Sequence, residues 1–559
     1  MTRAPADPPR DLRTAALVAL AVLAACVAVN LPFLATYAVR GDTAALMLHS
    51  TRFFRVDPGD WLRQGFTHYF VNFPEATRPY TGFIRPVVNA SIYAESLLAV
   101  GPNSAVFLLT CYLGHAACAG MVYLAARRIG GLSQRRALLA AALFGGTLAA
   151  LELLHSPAFR ADMLAGGFSL ASLLAVDGWR RGRGWMLEAA WLLLLLALLS
   201  KETAVTAPFL AAGWAVFAPG ERPRRGRLAA ALALLLPLAV FALLRAAGPQ
   251  GAYVSLAGVR GSLAEVATSA FFPGGGAFEL LTVLRGREPS ALEAARMLLA
   301  LALNLAAIGL AARALLRRDP RAAALALMAA AALAVPALLA PVPRMLYFGQ
   351  MFTLPLFVCV LPSRRVAARV LAALALLAGP VYLLGRMAAE QPALVAANRD
   401  SRVLQRVLAG TLRDPRVRRV YLVGDVVGDY GALALLQVAT LRAGRPDVAP
   451  RVVSSMGRTG DAPRRGTMEL RRGPGELVLE QRCGDACDFS FPGLAAGDEA
   501  KLGVPGVIAY PVVEPHRLVA AIPTRGCDVL LVGFTPAAPG VHLLRPCGTA
   551  WRTPVFGPE

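Results

Sequence analysis

The sequence predicts an α-helical polytopic membrane protein, with about eleven transmembrane helices and a C-terminal extracytoplasmic α/β domain. Three observations carry that prediction. Of 559 residues, 56% are hydrophobic and 16% charged, and mean hydropathy is +0.54, far from the balance of a soluble domain. Apolar runs near the ~20 helical residues needed to cross a ~30 Å hydrocarbon core recur from Thr14 to Gly385. After Gly385 these runs shorten and β-prone stretches take over.

The expected spans are 14–38, 103–126, 136–153, 162–178, 185–200, 203–218, 228–247, 292–316, 322–341, 345–361 and 366–385. The first is too long, and followed by too many others, to read as a cleaved signal peptide, and it lacks a small-residue cleavage site. Basic residues in short loops stay cytoplasmic. Alternate loops carry Arg3, Arg10 and Arg13; Arg127, Arg128, Arg135 and Arg136; Arg180, Arg181 and Arg183; Arg222, Arg224, Arg225 and Arg227; Arg317, Arg318 and Arg321; and Arg364, Arg365 and Arg369. They place the N-terminal segment 1–13 inside and leave the intervening loops outside. Those are a long first loop at about 40–102, a short one around His155 to Arg160, a turn at Ser200 to Glu202, 248–290, and Pro341 to Arg344. An odd number of spans puts the tail, 386–559, outside as well.

The 57 basic residues against 35 acidic give a net charge of +22. They lie in short clusters between apolar runs, without an aromatic-interleaved basic stripe, so no nucleic-acid partner is expected. Only two of the 57 are lysines, Lys201 and Lys501. Together with abundant Ala, Leu and Gly, this arginine bias reads as the signature of a GC-rich bacterial genome. Lys201 stands out against it, in "LLALLSKETAVTAPFL" between two expected antiparallel spans. It is either a snorkelling lysine that caps the turn or a functional cation, with Glu202 balancing it or bracing the hairpin.

Other charges fall at outer span ends. Asp42 stands in "RGDTAALMLHSTRFF", Arg85 in "TGFIRPVVNAS", Arg160 and Asp162 in "HSPAFRADML", and Arg344 and Tyr347 in "PVPRMLYFG". Each has a structural reading beside a functional one. Asp42 suits a helix N-cap, Arg160 and Asp162 suit an ion pair at a span entrance, and Arg344 and Tyr347 suit interfacial anchoring. His115, in mid-span, needs a partner and reads as a hydrogen-bonded packing histidine before a catalytic one. The first outer loop mixes aromatics with Arg and His, as an interfacial helix does.

Taken in order, "FIRP" after a long outer loop, "YLGHAACAGMVYLAARR", "HSPAFRADML", "LLSKETAVTAPFL" and "PVPRMLYF" resemble the GT-C superfamily of polytopic membrane glycosyltransferases. Within it they are similar to bacterial relatives of protein O-mannosyltransferases, over roughly residues 10–385. The resemblance implies transfer of a sugar, usually with inversion, from a polyprenyl-phosphate-linked donor to a glycan, lipid or protein hydroxyl at the outer face of the bacterial inner (plasma) membrane. An acid in the first outer loop commonly serves as base there, and the matching residue is Asp42. Many members carry two adjacent acids, whereas "RGDTA" has one, with Asp57 and Asp60 farther on. The base assignment and any need for a divalent metal ion, the one cofactor in question, are thereby left open.

The chemistry stands on its own terms. An acceptor hydroxyl needs a carboxylate to take its proton, and the departing lipid phosphate needs fixed cations in a water-poor site. Arginine meets phosphate with a bidentate fork and lysine as a point charge, which makes Arg85, Arg160, Lys201 and Arg344 the donor-phosphate candidates. Asp162, Glu202, His115 and Tyr347 are candidates for support. The competing class is a transporter or a non-catalytic assembly scaffold of the same topology. Transporters show internal repeats and mid-membrane ionisable residues; no repeat is apparent here, and the notable charges sit at span ends.

In the tail, "RRVYLVGDVV", "ELVLEQR", "GVIAYPVV", "HRLVAAI" and "CDVLLVGF" read as strands and "YGALALLQVATLRAG" as a helix, in a small α/β domain. "GDVVGDYG" lacks the G-x-G-x-x-G spacing of a dinucleotide site. Of eight cysteines, Cys26, Cys111, Cys118 and Cys359 lie in expected spans, and Cys483, Cys487, Cys527 and Cys547 in the tail. An even set outside the cell favours disulfides over a zinc site with His516 and His542, because "CGDAC" lacks the usual ligand spacing.

Overall fold

The computed structural model of the chain describes residues 8–39, 85–99, 103–218, 222–247, 266–273, 291–338, 343–362 and 365–413, and beyond them mainly strand segments between 419 and 544. Asp42, Asp57, Asp60 and most of the long first outer loop lie outside the described residues, as does most of 248–290.

The described membrane region is a helical bundle. Its helices are α1 (Pro8–Thr36), α2 (Pro86–Leu98), α3 (Val106–Arg128), α4 (Gln134–Gly145), α5 (Leu151–His155), α6 (Arg160–Arg180) and α7 (Met186–Leu198). They continue as α8 (Ala207–Phe217), α9 (Arg224–Ala247), α10 (Ala291–Leu316), α11 (Pro320–Leu338), α12 (Tyr347–Val360), α13 (Arg365–Leu376) and α14 (Tyr382–Thr411). Leucines stay exposed along the outer helices, among them Leu17 and Leu20 on α1 and Leu232 and Leu243 on α9, as expected of surfaces that face lipid. By contrast α12 is buried on every side from Tyr347 to Val358 and packs against α4, α6, α10 and α11.

The expected count of eleven spans is corrected. Among the described residues seven helices are long and apolar enough to cross a membrane, or eight if the pair Gln134–Gly145 and Leu148–His155, bent by 41°, is one span. The other three expected spans are helical but short. They are Met186–Leu198 with 13 residues, Ala207–Phe217 with 11 and Tyr347–Val360 with 14. At ~1.5 Å per residue such helices reach about 16–21 Å, against a core of ~30 Å. Apolar loop residues at their ends read, in sequence, as a continuation of the helix.

Two close approaches fix the packing. A Cβ on Gly120 of α3 would sit 2.9 Å from the Ala15 carbonyl oxygen of α1, so glycine lets these two helices meet backbone to backbone. A Cβ on Gly146, at the bend, would lie 2.3–2.4 Å from Pro380. Pro380 itself cannot continue a regular helix, and Leu377–Val381 widens there into a π-turn between α13 and α14.

Part of the loop 248–290 returns into the bundle. The backbone of Ala270 to Pro273 is buried, and side chains of α10 and α12 satisfy it. Asn304 Oδ1 accepts from the Phe271 and Phe272 amides at 2.9 and 3.2 Å, and its Nδ2 donates to the Phe272 carbonyl at 2.9 Å. Gln350 and Thr353 donate to the Phe271 and Ala270 carbonyls, and Arg296 donates to that of Pro273 at 2.6 Å. Non-helical backbone at membrane depth is tolerated only with such partners.

Helix α14 runs unbroken through position 386. Beyond it the described residues form nine strands in two sheets, ordered β5-β2-β1-β8-β9 and β3-β4-β7-β6. They are β1 (Arg419–Val423), β2 (Ala449–Arg458), β3 (Gly466–Gly473), β4 (Glu476–Cys483), β5 (Cys487–Ser490), β6 (Val512–Glu514), β7 (Arg517–Pro523), β8 (Val529–Thr535) and β9 (Ala538–Leu544). β1 pairs in parallel with β2 and β8, whereas the second sheet is antiparallel. The expected tail helix falls almost wholly outside the described residues, as do Cys527, Cys547, His516 and the side chains of Cys483 and Cys487.

Candidate functional site

The bundle has two chemically distinct ends. At one, the arginine clusters of alternate loops come together. Arg127 pairs with Asp11 at 3.1 Å, Arg181 with Asp177 at 2.8 Å, and Arg222 donates to the Trp179 and Gly182 carbonyls. Arg180 lies 5.2 Å from the Trp214 ring centroid, so the chain that leaves Lys201 comes back to this end along α8. The triplet Ser200–Lys201–Glu202 is therefore a turn at the opposite end. Ser200 closes α7 by donating to the Leu196 carbonyl at 2.7 Å, Lys201 is extended, and Glu202 opens a 3-10 turn that leads to α8.

That opposite end collects all four candidate cations, and each is paired with an acid. Lys201 Nζ donates to both oxygens of Asp162, at 2.6 and 2.7 Å. Arg85 Nη2 donates to Glu202 at 2.8 Å. Arg160 is bonded to Glu95 and Arg344 to Glu152. Arg160 and Asp162, two residues apart, thus do not pair with each other, and Glu202 balances Arg85 in place of Lys201.

Burial divides the four. Arg160 is 2% exposed, and its fork is occupied by the Pro157 carbonyl at 3.0 Å, Ser91 at 3.2 Å, Glu95, and the Phe107 carbonyl at 2.9 Å. One side chain so joins α2, α3 and the start of α6. The Lys201 and Asp162 side chains are each 8% exposed. Arg344 is 25% exposed, its partner Glu152 35%, and its guanidinium lies 4.2 Å from the Phe159 ring centroid. Arg344 is thus the more accessible cation.

His115 and Tyr347 do not face this end directly. They bond to each other across the bundle, His115 Nδ1 to Tyr347 Oη at 2.8 Å, while His115 Nε2 meets the Gly145 carbonyl at 3.0 Å. Tyr347 is buried, not part of an interfacial belt. Both ring nitrogens of His115 are engaged.

Beside Arg344 opens a cavity of about 360 Å³, lined by Tyr37, Leu151, Glu152, His155, Ser156, Phe159, Arg386 and Glu390. Glu390 lies 3.4 Å from His155 Nδ1 and bonds Arg386 one turn earlier on α14. The volume lies within the ~300–1,000 Å³ common for small-molecule sites. Sequence reading missed Glu95, Glu152, Arg386 and Glu390. The signal was there: a lone acid in an apolar run, as in "LELLH", must find a counter-ion. Among the described residues no three of His, Cys, Asp and Glu cluster closely enough to hold a metal ion.

No family model matches the sequence, and no curated protein matches it. Among solved structures, the chain is similar to the apo crystal structure of the Archaeoglobus fulgidus oligosaccharyltransferase, at 13% sequence identity and a TM-score of 0.43. The likeness covers 78% of this chain and 64% of that one, so the chain spans less than two thirds of that protein's length.

Proposed function

We propose that the chain is a GT-C-type membrane glycosyltransferase that moves a sugar from a polyprenyl-phosphate-linked donor to an acceptor hydroxyl at the outer membrane face. The observation that carries the reading is the gathering of Arg85, Arg160, Lys201 and Arg344 at one end of the bundle, with a cavity beside Arg344. The segment bearing Asp42 leaves from the same end, since Val39, held by Asn103 at 3.2 Å, directly precedes it.

Arg344 is the most accessible of the four. Arg344, with Arg85, meets the donor phosphate and stabilises the charge that grows as the glycosidic bond breaks. Arg160 and Lys201 hold Glu95 and Asp162 in place and so fix the frame around them. Asp42 takes the acceptor's proton. The tail is an extracytoplasmic α/β domain. The parallel pairing of β1 with β2 supports the α/β part of that reading, because it needs a crossover connection, usually helical, and the 25 residues 424–448 between the two strands are long enough for one.

The test is transfer from a panel of polyprenyl-phosphate sugars by the full chain in nanodiscs. Turnover that falls about 100-fold in Asp42→Asn and in Arg344→Ala, each removing a group worth a few kcal/mol in the transition state, and holds in Arg369→Ala, supports the reading. No turnover with any donor, or full turnover by both site variants, overturns it.

A further inference from the structure

We propose that the cavity between α5 and α14 is a subsite for a neutral, polyhydroxylated six-membered sugar ring. The inference rests on the glycosyl-transfer reading and names what that site's cavity takes.

Charge balance argues first. The cavity holds two acids, Glu152 and Glu390, each bonded to its own arginine, Arg344 and Arg386, with His155 against Glu390. The sum is close to neutral. An anion inside the cavity itself would lie against the carboxylates of Glu152 and Glu390, whose arginines already balance them. A neutral polyol can donate to the carboxylates' remaining lone pairs and accept from Ser156, His155 and the arginine forks with both ion pairs intact. Shape argues second. Phe159 and Tyr37 add aromatic wall, with the Phe33 ring at 6.0 Å from Tyr37 and 5.6 Å from His155, edge-on in both cases. Aromatic and apolar surface with a few convergent polar groups is what holds one face of a pyranose by its C–H bonds and the rim by its hydroxyls.

Position argues third. Arg344 is bonded to Glu152, which lines the cavity, and stacks on Phe159, which also lines it. A phosphate on Arg344 would therefore lie beside a ring in the cavity, as the two halves of a sugar phosphate must.

The ring belongs either to the donor or to the acceptor, and the experiment separates them. Saturation-transfer NMR on the full chain in nanodiscs is recorded with free hexoses, N-acetylhexosamines and inorganic phosphate. A hexose signal that weakens about tenfold in Glu390→Gln and in the cavity-filling Leu151→Trp, and stands in Arg369→Ala, is expected. Competition of that hexose by a short-chain polyprenyl-phosphate sugar assigns the subsite to the donor; its absence assigns it to the acceptor. Saturable phosphate with no sugar signal overturns the proposal, and so does a sugar signal that neither variant changes. Sugar binding without transfer would sink the glycosyl-transfer reading alone. Transfer with unchanged KM and kcat in both variants would sink the subsite alone.

Discussion

The Lys201–Asp162 pair decides between frame and chemistry, and a double-mutant cycle measures it. With Nζ 2.6 and 2.7 Å from the two carboxylate oxygens, the gross attraction at an effective dielectric of about 20 is about 6 kcal/mol. Desolvation of two ions, each 8% exposed, offsets most of it. The net worth of the pair is thus small, but removing one member leaves the other buried and uncompensated, at about 3–5 kcal/mol. Lys201→Met and Asp162→Leu should each lose that much, and the double variant should recover most of it. The assay is thermal unfolding of the full chain in detergent, with glycosyl transfer measured on the same samples. Recovery of both stability and turnover in the double variant is the expected result. If stability returns and turnover does not, Lys201 touches the ligand, and its assignment to the frame is refuted.

Four more outcomes are expected. Arg344→Ala should lower kcat/KM about 100-fold with an unchanged melting temperature, because the side chain is accessible, and Arg344→Lys should restore only part, lacking the planar fork; steady-state kinetics and melting curves check this. Arg160→Leu should lower stability by about 3–5 kcal/mol and Arg160→Leu with Glu95→Leu by far less, read as melting temperature and yield. Gly146→Ala should cost about 1–3 kcal/mol through overpacking on Pro380, whereas Gly309→Ala, with no atom within 4 Å of the new methyl group, should be neutral or stabilising in the same melts. Reporter fusions after Arg13 and Arg225 should report the cytoplasm and a fusion at Glu559 the outside, and a cytoplasmic signal at Glu559 overturns the outer placement of the tail.

The sequence made the helices legible because lipid demands long apolar runs, and the arginine clusters marked their ends. All eleven expected spans contain helix, but hydropathy averages over a window and cannot tell helix from apolar turn. "LLALLSKETAVTAPFL" is apolar on both sides of Lys201, while its helices stop at Leu198 and restart at Ala207. At the candidate site the cations were legible and their partners were not. Arg160 meets Glu95, 65 residues away, and Arg344 meets Glu152, 192 away, so packing alone chooses the pairs. Arg160 and Asp162 looked like partners because they are near in sequence. On a helix, however, residues two apart point to different sides.

α7 rises about 20 Å, roughly 10 Å less than the hydrocarbon core, and Lys201, just past its end, is buried. Charges buried there must be paired, because water is scarce around them. The same scarcity strengthens any cation left accessible, which is the condition for stabilising a departing phosphate. A transport path would need polar, accessible groups to continue toward the far end. Among the described residues the next groups inward are His115 and Tyr347, bonded to each other, and Gln350 and Thr353, tied to the buried segment at Ala270 and Phe271. Polar groups spent on one another do not line such a path. Paired charges at one end above such a middle fit the proposed reaction on one face better than passage from face to face.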